Sequence, residues 1–273
     1  HPLLDRKFGV PADRVPMSDD EVRRLIEAYV VAAKRAKAAG YDFVDIKHCH
    51  GYLGHEFLSA HTRPGPYGGS LENRTRYLRE IVEGVRAEAP GLAIGIRLSA
   101  IDFVPFRPDP ETSVGGVLGP GVPDDYSNCL PYTYGFGVDA ANPVAMDLTE
   151  TYALFEMLRA MDVRFINVSI GSPYYNPHII RPALYPPSDG YLPPEDPMIG
   201  VMRHLDVVRQ LKEKFPDFCL VGSGYTYLQD FLPNVAQAVV RMGWTDIVGL
   251  GRMVLSYPEL PLDVLNGQGT KKK

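Results

Sequence analysis

Between residues 18 and 252 the chain alternates between two hydrophobic periods, and that alternation restricts the fold more than any single motif. "MSDDEVRRLIEAYVVAAKRAKAAG" (17–40) carries Val22, Leu25, Ile26, Tyr29 and Val30 on one helical stripe. Ser18 is placed to cap it, with Glu21 three residues on as a capping box, and Gly40 ends it. A strand-like run follows at 41–48. Helix-like segments at 70–89, 144–161, 199–215 and 227–243, the last interrupted by Pro233, then alternate with strand-like segments at 92–100, 164–171, 218–224 and 246–252. Strands separated by helices run parallel and are joined by right-handed crossovers.

The strands have two unlike faces. In "AIGIRLSA" (93–100), Ile94, Ile96 and Leu98 point one way, and Gly95, Arg97 and Ser99 the other. In "RFINVSIG" (164–171), Ile166 and Val168 oppose Asn167 and Ser169. In "DFVDIK" (42–47), Val44 and Ile46 oppose Phe43, Asp45 and Lys47. An open doubly wound sheet is aliphatic on both faces. One aliphatic face and one small, polar face fit a barrel with helices outside and a polar upper interior. The expected fold is therefore α/β, a TIM-type β/α barrel of which five strands are legible. Two connections, 101–143 and 172–198, are long, follow strand C-terminal ends and are rich in Pro, Gly and Tyr. Loops of that length are functional or disordered. Their aromatics, among them Tyr126, Tyr132, Tyr134, Tyr174 and Tyr175, favour a folded cover that sets the substrate.

Composition narrows the function classes. The 273 residues, 45% of them apolar, suit one domain spanning the chain. The net charge of −5, with a basic run only at Lys271–Lys273, gives no nucleic-acid footprint and no polybasic membrane patch. No apolar stretch is long enough to span a bilayer, and no signal peptide opens the chain. Cys49, Cys129 and Cys219 are odd in number, far apart and form no C-x-x-C. That argues against a disulfide framework, a zinc site or an iron–sulfur cluster within these residues, and for a reducing, cytoplasmic setting. The expected partner is a small molecule; oligomeric state is not legible.

Polar residues collect at strand C-terminal ends: Lys47, His48 and His50; Arg97 and Ser99; Asn167 and Ser169; Gly222, Ser223 and Gly224; Gly251 and Arg252. In a β/α barrel that is the catalytic face. Arg97, in the middle of an apolar strand, needs an anionic partner, either a bound cofactor or Asp45. The glycines of "VGSG" (221–224) and "GLGR" (249–252) can bring backbone N–H groups to a phosphate, with Arg252 as clamp, although turns use glycine too. Lys47 at a strand end also permits Schiff-base chemistry.

"HGYLGHEFLSAHTRPGPYGGSLENRTRYLREIVEGVR" (50–86), with its "YGGSLENR" block (67–74), resembles the signature of the old yellow enzyme family of FMN-dependent oxidoreductases. "IGIRLSA" (94–100) and "GLGRMVLSYPEL" (249–260) agree in kind and order. The resemblance, over roughly residues 20–260, implies a TIM barrel with FMN at its C-terminal mouth and NADPH or NADH as hydride donor. It implies that Arg97 stands beside the flavin N1/O2 edge, where a cation stabilises negative charge on the reduced ring. It implies that Gly222, Ser223, Gly251 and Arg252, with Gly224 adjoining, bind the phosphate, and that Tyr52 protonates the substrate α-carbon. His50 matches the second member of the pair that grips the substrate carbonyl; Asn73 and Arg74 match structural positions.

The first member of that pair departs from the family pattern. Lys47, not His, lies three residues before His50, and the nearby His48 has the opposite strand parity. Read as a replacement, Lys47 favours an anionic or strongly polarised acceptor such as a carboxylate-bearing enone. Read otherwise, it pairs with Asp45 or a loop carboxylate and leaves His50 alone on the substrate. Cys49 is expected to pack, and His55 and His61 to serve the loops. The implied activity is hydride transfer from NADPH or NADH through FMN to an activated alkene. A flavin dehydrogenase or demethylase oxidising an amine, and more remotely a Lys47 Schiff-base enzyme, are the alternatives. The family places the five strands fourth to eighth. The expectation is thus a piece of a longer protein, its barrel incomplete at the N-terminus and at the C-terminal end, that by itself binds FMN poorly.

Overall fold

The structure, a computed structural model, describes residues 1–185 and 190–271. Five strands, β1 (Phe43–His48), β2 (Ala93–Ser99), β5 (Phe165–Ser169), β6 (Cys219–Gly222) and β7 (Ile247–Val248), form one parallel sheet in sequence order. Between β2 and β5 the short strands β3 (Phe106–Pro108) and β4 (Gly121–Pro123) pair antiparallel, apart from the main sheet.

Register explains the two faces. Ile46, Ile96, Ile166 and Leu220 pair in one row, each at most 4% exposed. Full burial of such a side chain contributes about 1.5–3 kcal/mol. Helices Asp19–Ala38, Arg76–Glu88, Thr149–Ala160 and Pro197–Lys214 cover this face; Val22, Ile26, Ile81, Val82, Leu154, Phe155, Val207 and Leu211 complete the core. The capping box forms as the sequence implies: Ser18 Oγ accepts from the Glu21 N–H, and Glu21 accepts from the Ser18 N–H. On the opposite face Lys47, Arg97, Asn167 and Val221 share a row. The outermost side chains Phe43 and Ile247 are 47% and 44% exposed.

Several expectations shift. The helix expected over 70–89 is two helices, Leu71–Arg74 and Arg76–Glu88. Pro233 does not interrupt a helix but lies in the first turn of Leu232–Arg241, where its missing N–H costs nothing; residues Tyr225–Phe231 before it are a 3₁₀ turn. The strand expected over 246–252 is only two residues long. Helices Pro2–Phe8 and Leu260–Leu265 lie outside the segments the hydrophobic pattern marked.

The described parts of the two long connections are folded against each other. The buried Asp102 carboxylate accepts from Tyr175 Oη at 2.6 Å and Asn176 Nδ2 at 2.8 Å. Phe106, Tyr132 and Tyr191 pack with Leu3 and Val104 into a separate apolar cluster. Among the described residues no helix is long and apolar enough to cross a membrane.

Candidate functional site

A cavity of about 1030 Å³ opens at the C-terminal ends of the sheet strands. Lys47, His50, Tyr52, Arg97, Ser223, Gly224, Gly251 and Arg252 all line it, together with Asn167, Ser169, Tyr174 and Arg181. Of the site residues expected from the sequence, Gly222 alone is outside this lining. Its N–H donates to Thr245 Oγ1 at 3.1 Å, and its carbonyl accepts from the Gly249 N–H at 2.8 Å. Its backbone is thus used within the fold.

His50 is brought into the cavity by the turn after β1, not by the strand. Its backbone is left-handed at φ 66°, unusual for a residue with a side chain. Two hydroxyls hold it there. Ser99 Oγ accepts from the His50 N–H at 3.0 Å, and Ser172 Oγ donates to the His50 carbonyl at 3.0 Å. The ring Nε2 lies 2.8 Å from Ser169 Oγ. Burial, with Arg97 and Lys47 nearby, pushes the His50 pKa down to about 3, so the imidazole is neutral at physiological pH. Gly51 follows at φ 72°, where a Cβ would lie 2.7 Å from the Tyr175 ring. His55 Nδ1 accepts the Gly51 N–H at 2.9 Å, a structural task.

Lys47 and Arg97 pair directly across β1 and β2. The Lys47 ammonium is 3.1 Å from the Tyr52 ring centroid, a cation–π contact. Neither the expected pairing of Lys47 with Asp45 nor that of Arg97 with Asp45 occurs as an ion pair among the described residues. Asp45 lies one residue pair deeper on the same face, and burial raises its pKa while Arg97 opposes the rise. Arg97 Nε is buried without a hydrogen-bond partner among the described residues. The Tyr52 hydroxyl meets the Tyr174 hydroxyl, and this bond holds the Tyr52 pKa above its ordinary value. Tyr52 therefore keeps its proton at neutral pH.

On the far side of the cavity, Gly224 adopts φ 91° against the His204 ring, and a Cβ there would lie 2.6 Å from it. Ser223 Oγ donates to the Val168 carbonyl at 2.7 Å. A Cβ on Gly251 would meet nothing within 4 Å, so open space adjoins its backbone and that of Arg252. These features fit FMN: an unpartnered buried guanidinium edge for the ring system, and an open glycine backbone beside an arginine for the phosphate.

The remaining residues have structural places. His48 is buried on the helix side beside Tyr77, and burial pushes its pKa down to about 3. Burial pushes the Cys49 thiol up to about 11, unlike a nucleophile. Arg74 is 2% exposed; it donates to the Gly69 and Leu58 carbonyls and grips the Glu150 carboxylate through both terminal nitrogens. His61 lies 3.9 Å from the same carboxylate. Sequence reasoning placed Tyr174 only in a substrate-setting loop and passed over Arg181. Tyr174 reaches Tyr52 from a strand end more than 120 positions away, and the only sequence signal was the tyrosine content of its loop.

Residues 7–109 match the model of the NADH:flavin oxidoreductase / NADH oxidase family, a span that includes Lys47, His50, Tyr52 and Arg97. A putative 12-oxophytodienoate reductase 11 of Oryza sativa subsp. japonica is 28% identical over 249 residues, covering 90% of this chain and 50% of that protein. An NADPH dehydrogenase of Bacillus subtilis (strain 168) is 45% identical over 102 residues, covering 37% of this chain and 29% of the relative. The chain thus spans half the length of the first relative and less of the second. Among solved structures, a 2-naphthoyl-CoA reductase in complex with 2-naphthoyl-CoA superposes with a TM-score of 0.61 at 22% identity, covering 93% of this chain and 30% of that one. The fold is shared with this α/β structure, and residues 7–109 are similar to the NADH:flavin oxidoreductase / NADH oxidase family, in keeping with the old yellow enzyme resemblance of the sequence.

Proposed function

We propose that this chain carries the substrate and cofactor site of an NADPH- or NADH-dependent oxidoreductase that reduces an activated, enone-like alkene. In this reading its five parallel strands are the fourth to eighth of a TIM barrel. Bound FMN supplies the hydride-carrying chemistry; the chain's residues bind, orient and handle the proton. Arg97 holds the electron-accepting edge of the ring with the Nε–H it spends on no protein partner. The open backbone at Gly251, with Arg252, holds the phosphate. Lys47 and the neutral His50 hold the substrate carbonyl oxygen, and the hydroxyl of Tyr52 gives its proton to the α-carbon.

The observation that carries this reading is the row Lys47–Arg97–Asn167 on the polar face, with His50 and Tyr52 opening into the same cavity as Arg252. The test is an absorption spectrum of the parent-length protein loaded with FMN, followed without oxygen by NADPH or NADH and then by cyclohexenone. Bleaching that recovers with the enone is the expected result. In Tyr52→Phe the bleaching is retained and the recovery slowed. Bleaching by an amine without nicotinamide would move the assignment to a dehydrogenase. A borohydride-trapped adduct on Lys47 would overturn the flavin reading altogether.

A further inference from the structure

We propose that the acceptor reduced at this site is an anion, an alkene bearing a carboxylate that the Lys47 ammonium holds. This rests on the flavin-reductase reading and adds the substrate class to it.

Lys47 is a cation at the end of β1 without an anion. Among the described residues, no carboxylate or carbonyl accepts from its Nζ; its contact is the face of the Tyr52 ring. A ring face is a weaker partner than a charge-assisted hydrogen bond to a carboxylate, so an incoming carboxylate displaces little and gains much. The charges lining the cavity point the same way. Among the described residues, Lys47, Arg97, Arg181, Arg252 and Lys271 face a single lining carboxylate, Asp230. Lys271 is met by Asp263 at 2.8 Å. Arg97, Arg181 and Arg252, like Lys47, have no ion pair among the described residues.

Two of these four cations are committed by the flavin reading, Arg252 to the phosphate and Arg97 to the ring edge. That leaves Lys47 in the strand and Arg181, which lies just past helix Pro177–Ile180 in the connection beside the site. His50 adds no charge between them. A neutral acceptor would offer Lys47 only a carbonyl dipole, whereas a carboxylate completes the charge balance. Sites built this way reject the analogue that lacks the matching group, because the polar protein group is then left unpaired.

The probes are 4-oxopentanoate and 4-oxopentanamide, saturated molecules that differ in charge and cannot be reduced as alkenes. Isothermal titration of the full chain should show the acid binding about tenfold or more tightly than the amide, a difference a single charge-assisted contact can supply. Lys47→Met should bring the two within about twofold of each other, and Lys47→Arg should keep the preference for the acid. Circular dichroism of the variants confirms that they fold, and the wild-type ratio stands even if Lys47→Met does not. Equal binding of the two probes by the wild type, binding of neither, or an acid preference that survives in folded Lys47→Met would each overturn the proposal. The flavin test is separate. A flavin that bleaches with nicotinamide while the probes bind equally removes only the substrate class. A firm acid preference without flavin bleaching removes the reductase reading and leaves an anion site.

Discussion

Acid should unfold this protein through its histidines before its carboxylates matter. His48, His50, His178 and His204 are between 1% and 9% exposed. Burial holds the first two near a pKa of about 3 and the other two near about 4, against an ordinary 6.5. The folded-state values are depressed, so below pH 6.5 the unfolded chain binds protons that the native chain does not. Their contribution is fully present above that pH and is lost as pH falls toward 4. Each such group adds a slope of about 1.4 kcal/mol per pH unit. At pH 5, about 1.5 units below the ordinary value, each costs about 2 kcal/mol and the four together about 8 kcal/mol, similar to the whole stability of a typical domain. Asp45 and Glu56 run the other way, because burial raises their pKa values and protonation relieves them. Urea unfolding followed by circular dichroism at stepped pH should therefore show stability collapsing between pH 6 and 5. His48→Leu should lower the slope by about one proton, since both its ring nitrogens are buried without partners and it shares a row with Leu98 and Val168. A stability at pH 5 within about 2 kcal/mol of that at pH 7, the size of a single group's effect, would refute this account.

Two further outcomes follow from the geometry. Arg74→Met strands the Leu58 and Gly69 carbonyls, and should cost about 3–5 kcal/mol in urea unfolding; Glu150→Gln should cost less, because Arg74 keeps both carbonyl contacts and the Gln side-chain oxygen can still accept from it. Equal losses would show that the ion pair, not the carbonyl contacts, does the anchoring. Tyr174→Phe removes the bond that raises the Tyr52 pKa, so an alkaline tyrosinate titration of the chain should show one tyrosine ionising at lower pH than in the wild type. An unchanged titration beyond loss of one group would detach Tyr174 from the site.

The sheet was legible because period-two alternation survives translation into register. Ile46, Ile96 and Ile166 read as one face and pair as one row, and Lys47, Arg97 and Asn167 do the same on the other. What the alternation could not carry was anything beyond a strand end. The left-handed turn at His50 depends on Ser99 and Ser172, hydroxyls from two other strand-end segments. The hairpin of β3 and β4 has three-residue strands that each contain proline, too short for any period to register. Gly222 looked like a phosphate ligand because glycine is equally suited to ligand approach and to tight packing. Only the position of Thr245 reveals which use is made of its N–H.

In the proposed reading, Lys47 and His50 divide the work of a substrate-oxygen site in a way that two histidines would not. They are three residues apart and reach one cavity because β1 ends between them. Lys47 belongs to the strand and is set by its pairing with Arg97, whereas His50 belongs to the turn and is set by hydroxyls. Burial, with Arg97 and Lys47 nearby, keeps the His50 imidazole neutral, so it can offer or accept a hydrogen bond but not a charge. Its Nε2 already lies against Ser169 Oγ, and that contact orients the ring. Positive charge toward a developing oxyanion must then come from the ammonium, which does not depend on a proton shared with a neighbouring ring. A pair of imidazoles could supply such charge only by protonating one of them, and burial opposes that step. In that reading the lysine separates orientation from charge, and the sign of the substrate, more than its shape alone, is the property this end of the cavity would read.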